Sequence, residues 1–417
     1  MACGPIVEEI SPRAAQVLCA QFQGCPSHGL SPDLDPSTLR HAPEDHWDIF
    51  CPVVDNYGDV GVCWRLARQL ATEHGIAVRL WIDDLKSARR LIPSLDPALV
   101  RQLIGGVEIL AWIDPLPVIS PGAVVIGAFA ASLPESFLEA MALCVPRPAW
   151  INLEYLSAED WVTGCHGLPS PHPRLPLVQH FFFPGLDVGT GGLLRESDYD
   201  VQRGAFSREA FRQALELPPE QPGERMVSLF TYENPALPEL LELWSQSSAP
   251  VCCLVPEGRI LPGLAAHLGL SGLRAGDKIL HEALTVCVLP FVEQARYDAL
   301  LWACDLNFVR GEDSFVRAQW AGLPFVWHIY AQEEEAHLVK LQAFMDRYLV
   351  GIEPSAARAL RDFWLAWNRG EGVAAAWPAF AGSLPLLEAH GPTWSARLQQ
   401  TGDLASNLVR FCKVEIE

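Results

Sequence analysis

Two short polar segments carry the side chains best suited to chemistry. Asp55-Asn-Tyr-Gly-Asp59 offers two carboxylates four residues apart on a tight loop. Such a pair can orient a cationic acceptor while one member takes a proton. Gly58 permits the turn, and Asp59 also stands where a helix N-cap would. Arg310-Gly-Glu-Asp-Ser314 opens a second helix. Amides at a helix start cradle phosphate, Ser314 adds a hydroxyl, and Arg310 adds a fork for phosphate oxygens. Glu312 and Asp313 are awkward there, because carboxylates repel a diphosphate. They make sense if one binds sugar hydroxyls or orients Arg310. Phe230 and Tyr232 alternate at a strand end and so point the same way. Phe291 ends another strand and Gln294 starts the next helix. Aromatic rings near a phosphate-binding helix suit a nucleobase. Each feature also has a plainer reading: a cap for Asp59, a local Arg–Glu pair at Arg310, core packing for the aromatics. Trp47, Trp64, Trp320, Trp327 and His328 read as core. Neither segment is a dinucleotide or Walker loop, since G-x-G-x-x-G and Gly-Lys-Ser/Thr are both missing.

These segments need strands and helices to place them. Trp47 to Val54 reads as a buried strand, and Val60 to His74 as a helix with Val62, Leu66 and Leu70 on one face. Strands at 76–82, 107–112, 123–129 and 149–156 follow, with short helices at 85–91, 97–103 and 134–143. Residues 157–200 read as irregular and 207–217 as a helix. A second series then alternates strands (225–231, 251–255, 285–292, 305–309, 324–329) with helices (235–245, 260–268, 294–303, 313–321, 333–349), and the chain is helical from Ser355. Alternation of this kind implies parallel sheets in an α/β architecture. Ligands of such sheets bind at the carboxyl ends of the strands, where both polar segments fall. The expected division is an N-terminal extension, 1–46, without regular structure; a first Rossmann-like domain, 47–205; a linker region, 206–223; a second Rossmann-like domain, 224–380; and C-terminal helices, 381–417, packing back toward the first domain.

Composition narrows the function classes. In 417 residues, half are hydrophobic and 19% charged, enough for two cores and too apolar for a disordered chain. The longest apolar run, Pro121 to Leu133, is broken by Gly122 and Gly127 and is shorter than a membrane span. A net charge of −20 disfavours nucleic acid as a partner. The 12 cysteines form no C-x-x-C pair, which suits buried thiols in a reducing cytosol better than a zinc site. With no basic-then-apolar leader, a cytoplasmic enzyme is the expectation.

Two long stretches carry a resemblance. Trp47-Asp-Ile-Phe-Cys through Val54-Asp-Asn-Tyr-Gly-Asp-Val-Gly-Val-Cys-Trp to Leu70 is similar to the opening of the EarP family of protein-arginine rhamnosyltransferases. Phe308-Val-Arg-Gly-Glu-Asp-Ser-Phe-Val-Arg through Trp327-His-Ile-Tyr330 resembles its donor segment. The likeness runs in order from Trp47 to the C-terminus. The first 46 residues have no counterpart, and Ala331 stands where proline is expected before Gln332. The resemblance implies a GT-B glycosyltransferase, two Rossmann-like domains facing a cleft, moving rhamnose from dTDP-β-L-rhamnose to an arginine of translation elongation factor P, with inversion and without a metal or other cofactor. It further implies that Asp59 is the base and that Asp55 holds the acceptor guanidinium or shapes the loop. Glu312 is then essential near the sugar. Arg310, Asp313 and Ser314 would bind the diphosphate region; Phe230, Tyr232, Phe291 and Gln294, with the loop residues Asn56, Tyr57 and Gly58, would complete the nucleotide-sugar pocket. A small-molecule GT-B transferase or epimerase, and a non-catalytic nucleotide-sugar-binding regulator, remain as alternatives at this point.

Overall fold

A computed structural model describes residues 42–416 except 55–56, 114, 117–118 and 333–334. The apolar run at its start forms β1 (Glu44–Cys51), which begins three residues before the expected Trp47 and is buried from His46 onward. Around it lie β2 (Val78–Ile82), β3 (Arg101–Ile104), β4 (Val107–Ala111), β5 (Gly122–Ala128), β6 (Ala149–Leu153), β7 (Pro169–Pro171) and β8 (Val178–Phe182). Their order is β3-β4-β2-β1-β5-β6-β8-β7. The six inner strands run parallel, and the two edge strands are antiparallel. The inner strands are apolar on both faces because helices cover both. On one face α1 (Gly58–His74) buries Val62, Leu66 and Leu70; on the other Phe50, Trp81 and Val125 meet Phe137 and Met141 of the helix Glu135–Leu143, which is α3. The helices α2 (Leu85–Leu91) and α4 (Val162–Cys165) complete this first lobe.

Two local expectations are corrected. Residues 97–103, read as a helix, form none: 97–100 make a turn and 101–104 form strand β3. Gly105 and Gly106 both have positive φ (55° and 82°) and close a two-residue hairpin into β4, a turn that only such φ values make. The stretch 157–200 is not wholly irregular: β8 pairs parallel with β6, and β7 pairs with β8.

The chain then crosses to a second lobe through α5 (Tyr199–Ala205) and α6 (Arg208–Ala214). There β9 (Arg225–Leu229), α7 (Leu237–Ser245), β10 (Val251–Pro256), α8 (Leu261–His267), β11 (Lys278–His281), β12 (Leu284–Leu289), α9 (Gln294–Ala303), β13 (Leu306–Arg310), α10 (Asp313–Ala321) and β14 (Phe325–His328) follow in turn. The sheet order is β11-β12-β10-β9-β13-β14, parallel except for the unforeseen edge strand β11. Four more helices finish the chain: α11 (Ala336–Tyr348), α12 (Pro354–Arg369), α13 (Val373–Gln399) and α14 (Leu404–Ile416). The division expected at residue 380 falls inside α13. That helix belongs to the second core throughout, burying Trp377, Phe380, Leu387 and Trp394. Only α14 returns, placing Leu404, Leu408 and Cys412 in the first lobe's core. As the chain crosses back, Leu404 N–H donates to Leu193 O (3.1 Å) beside the outward crossing.

In the first sheet the strand order reverses between β1 and β5, and in the second between β9 and β13. The carboxyl ends at those two reversals face one another across a cleft, the geometry expected of ligand sites in open α/β sheets. Two Rossmann-like sheets facing one cleft make the chain a GT-B fold, with helices at its C-terminal end.

Candidate functional site

Each reversal feeds its outgoing strand into a helix that points at the cleft. β1 leads into α1, and β13 into α10. Among the described residues no side chain caps the start of either helix, which leaves first-turn amides available toward the gap between the lobes. Asp59 does not cap α1. It lies in the first turn, 2% exposed, and its Oδ2 accepts from Val54 N–H (2.8 Å) while Tyr155 Oη donates to its Oδ1 (3.2 Å). Tyr155 itself stacks on Phe129 with centroids 4.3 Å apart. Asp55 and Asn56 lie outside the described residues.

Two adjoining cavities, both touching Gly58 and Gly311, fill the cleft. The first, of about 610 Å³, takes in Tyr57, Phe230, Tyr232, Phe291 and Arg310. The Arg310 guanidinium lies 4.5 Å from the Phe230 ring, 4.8 Å from Tyr232 and 6.0 Å from Tyr57. It is 9% exposed, and no carboxylate pairs with it among the described residues. A covered cation held between π-faces and lacking a counter-charge is a ready anion site. The second cavity, of about 860 Å³, is lined by Asp59, Tyr155, Glu312, Trp327 and Lys340. It therefore gathers the carboxylates from both lobes.

The two carboxylates that seemed misplaced beside a diphosphate are dealt with separately. Asp313 is turned away. Its Oδ1 accepts from Arg65 of α1 (2.7 Å), and its Oδ2 from Gln294 (3.0 Å) and Arg317 (3.4 Å). Burial alone would raise its pKa, but Arg317 and Arg65 overcome that and hold it below the usual carboxylate range. Glu312 faces the second cavity, where its Oε2 accepts from Leu156 N–H (2.9 Å). Desolvation, helped by the charges of Asp59 and Asp313, pushes its pKa up to about 8, so at neutral pH it is chiefly an uncharged donor.

Other expected ligand groups have partners already. The Ser314 hydroxyl donates to Arg310 O and accepts from Arg310 N–H (3.0 Å), so it shapes the turn. Gln294 Nε2 donates to Gly61 O across the cleft (2.8 Å). Gly61 allows that approach: a Cβ there would sit 3.3 Å from both Asp313 and Gln294. Asp313, Ser314 and Gln294 thus line the first cavity while their side chains brace it. His328 is buried as expected, but its Nδ1 has no hydrogen-bond partner among the described residues; burial and the nearby Arg310 charge push its pKa down to about 3. Tyr155 and Lys340 were missed by sequence reasoning. Tyr155 follows the carboxyl end of β6, a position that could have flagged it; nothing local marks Lys340.

The family model described as elongation factor P (EF-P) rhamnosyltransferase EarP matches residues 47–413. The chain belongs to that family. Among relatives, the protein-arginine rhamnosyltransferase of Pseudomonas putida is 50% identical over 370 residues, spanning 88% of this chain and 98% of that protein. The Neisseria meningitidis serogroup B protein of the same name is 39% identical over 337 residues, spanning 78% and 85%. A solved structure presented as the structural basis for EarP-mediated arginine glycosylation of translation elongation factor EF-P shares 38% identity. Its TM-score is 0.63, over 88% of this chain and 99% of that one. The family membership expected from the two sequence stretches is therefore established. No helix among the described residues is long and apolar enough to cross a membrane.

Proposed function

We propose that this chain is an inverting protein-arginine rhamnosyltransferase that takes L-rhamnose from dTDP-β-L-rhamnose and attaches it to an arginine of translation elongation factor P. The observation that carries the reading is Arg310, a covered guanidinium between aromatic rings with no carboxylate paired to it among the described residues, opening onto a second cavity that holds Asp59 and Glu312. The first cavity accepts the nucleoside diphosphate, its base against the aromatic rings and its phosphates against Arg310 and the α10 amides. The sugar reaches past Gly311 into the second cavity, where the acceptor arginine enters.

A guanidinium has a pKa above about 12 and is no nucleophile while charged. Asp59 takes its proton as the guanidine nitrogen attacks the anomeric carbon and the bond to the diphosphate oxygen breaks. Attack from the face opposite the leaving group inverts that carbon. The negative charge growing on the diphosphate is met by Arg310 and the start of α10, so the reading invokes no metal or organic cofactor. Neutral Glu312 donates a hydrogen bond to the sugar without repelling the phosphates. Asp55 completes the carboxylate pair around the acceptor cation. A translation factor as acceptor sets the reaction in the cytoplasm.

Intact-protein mass spectrometry tests this directly, with the chain, dTDP-β-L-rhamnose and elongation factor P from the same organism. The expected result is a gain of one deoxyhexose, lost in Asp59→Asn by about 10²–10⁴-fold in rate while calorimetry shows donor binding intact. Donor binding with no mass gain would turn the reading toward a different acceptor or a non-catalytic regulator. Full activity in Asp59→Asn would remove Asp59 as base.

A further inference from the structure

At the amino ends of the second sheet, opposite the cleft, three side chains from three elements converge. Glu242 lies on α7, His267 is the last residue of α8, and His281 ends β11 beside Leu284, the first residue of β12. One donor atom from each lies within 4.8 Å of the other two, and among the described residues no other three His, Cys, Asp or Glu side chains meet this way. The two imidazoles stand edge-on at 82°, with centroids 6.3 Å apart. Among the described residues His267 Nε2 is buried with no hydrogen-bond partner, a state that native proteins seldom leave unexplained. Gln246 donates to Glu242 Oε1, which leaves Oε2 available. The backbones are already fixed: Ala283 N–H donates to Ser245 O (3.0 Å), fastening the β11–β12 turn to the end of α7.

We propose that Glu242, His267 and His281 bind a divalent transition-metal ion of the zinc class, which staples α7, α8 and the β11–β12 hairpin together. Two imidazole nitrogens and one carboxylate oxygen suit Zn²⁺, Co²⁺ or Ni²⁺ and do not suit Mg²⁺ or Ca²⁺, which take oxygen sets. The orphaned Nε2 gains its missing partner, and water fills the fourth position. The site is structural, because it lies at the end of the sheet away from both cavities.

The full-length chain, stripped by a chelator and dialysed against Zn²⁺, tests it. The expected result is about one Zn²⁺ per chain by elemental analysis, with thermal unfolding shifted upward by Zn²⁺ and not by Mg²⁺. His267→Gln and His281→Gln each weaken binding by about 100-fold or more, beyond what loss of a supporting group costs, and abolish the shift. Glu242 is exposed, so Glu242→Gln keeps the fold and supplies the same comparison if an imidazole variant does not. The Co²⁺ form separates this site from the cysteines: it should show nitrogen and oxygen ligation without a thiolate charge-transfer band. Zn²⁺ binding undiminished in these variants, a thiolate band, or no Zn²⁺-dependent shift would each overturn the site. Transferase turnover that depends on Zn²⁺ would overturn its structural role.

Discussion

Arg310 and Glu312 are neighbours with opposite electrostatic debts. Arg310 keeps its charge under cover between aromatic faces, unpaired by any carboxylate among the described residues; Glu312 sheds its charge to remain where it is. Replacing Arg310 by Gln should weaken binding of dTDP by about 10–100-fold, the worth of one or two charged hydrogen bonds. It should not lower the unfolding midpoint of the ligand-free protein, since the covered charge is removed with the side chain. Calorimetry and thermal unfolding on the same samples check both halves. For Glu312 the sign follows from its folded pKa of about 8 against an ordinary value of 4.5. Between those values the folded state binds more protons than the unfolded one, so stability falls as pH rises. Glu312→Gln removes that slope. The variant should be more stable than the parent, by a margin that grows from pH 5 to 8 and reaches about 1–3 kcal/mol. Denaturant melts across that range measure it, and a margin that shrinks with pH would contradict the raised pKa.

Among elements, α10 and α13 meet at their backbones. A Cβ on Gly391 would lie 2.1 Å from Gly322 O, where α10 ends in a left-handed residue. Gly391→Ala should therefore cost about 3 kcal/mol or more, read as a lower denaturant midpoint, although position 391 touches neither cavity. The parallel strands were legible because two-sided burial leaves unbroken apolar runs such as Ile49–Cys51 and Cys252–Val255. The strands that escaped notice are the short edges β3, β7 and β11 and the mostly half-buried β8. β3 exposes Arg101 and Leu103, β11 exposes Lys278 and Leu280, and β7 begins and ends in proline; none shows a buried face to a periodicity argument. The Gly105–Gly106 hairpin is legible in its residues, since paired glycines accept positive φ at both turn positions. In the site, Asp59 and Arg310 could be picked out because each belongs to a strand-to-helix passage at a reversal of sheet order, Arg310 ending β13 and Asp59 opening α1 after β1. The bracing duties of Asp313 and Gln294 could not be read locally, since their partners Arg65 and Gly61 are more than two hundred residues away in the chain.

For the whole molecule, Arg65 is the side chain on which the two lobes agree. It forks onto Glu196 in the outward crossing (2.8 and 2.7 Å) and reaches Asp313 in the second lobe (2.7 Å), with Arg317 close by. It is 4% exposed. Breaking one side of such a covered network strands the other charges, at about 3–5 kcal/mol. Arg65→Met should lower stability by about that much, and should also loosen the cleft so that dTDP binds more weakly although Arg65 lines neither large cavity. Unchanged dTDP affinity would uncouple the network from the site. The chain passes between lobes twice, and the two passages run side by side, joined at Leu193 and Asp403 as a short parallel bridge with Asn407 Nδ2 donating to Gly191 O (2.9 Å). Two tethers laced together behave as a single hinge pin. Such a pin permits swinging of the lobes and resists twisting, which would tear the lacing. The mouth of the cleft opposite the pin is the side on which a folded protein acceptor is expected, and motion about one axis would bring Arg310 and Asp59 back to the same register.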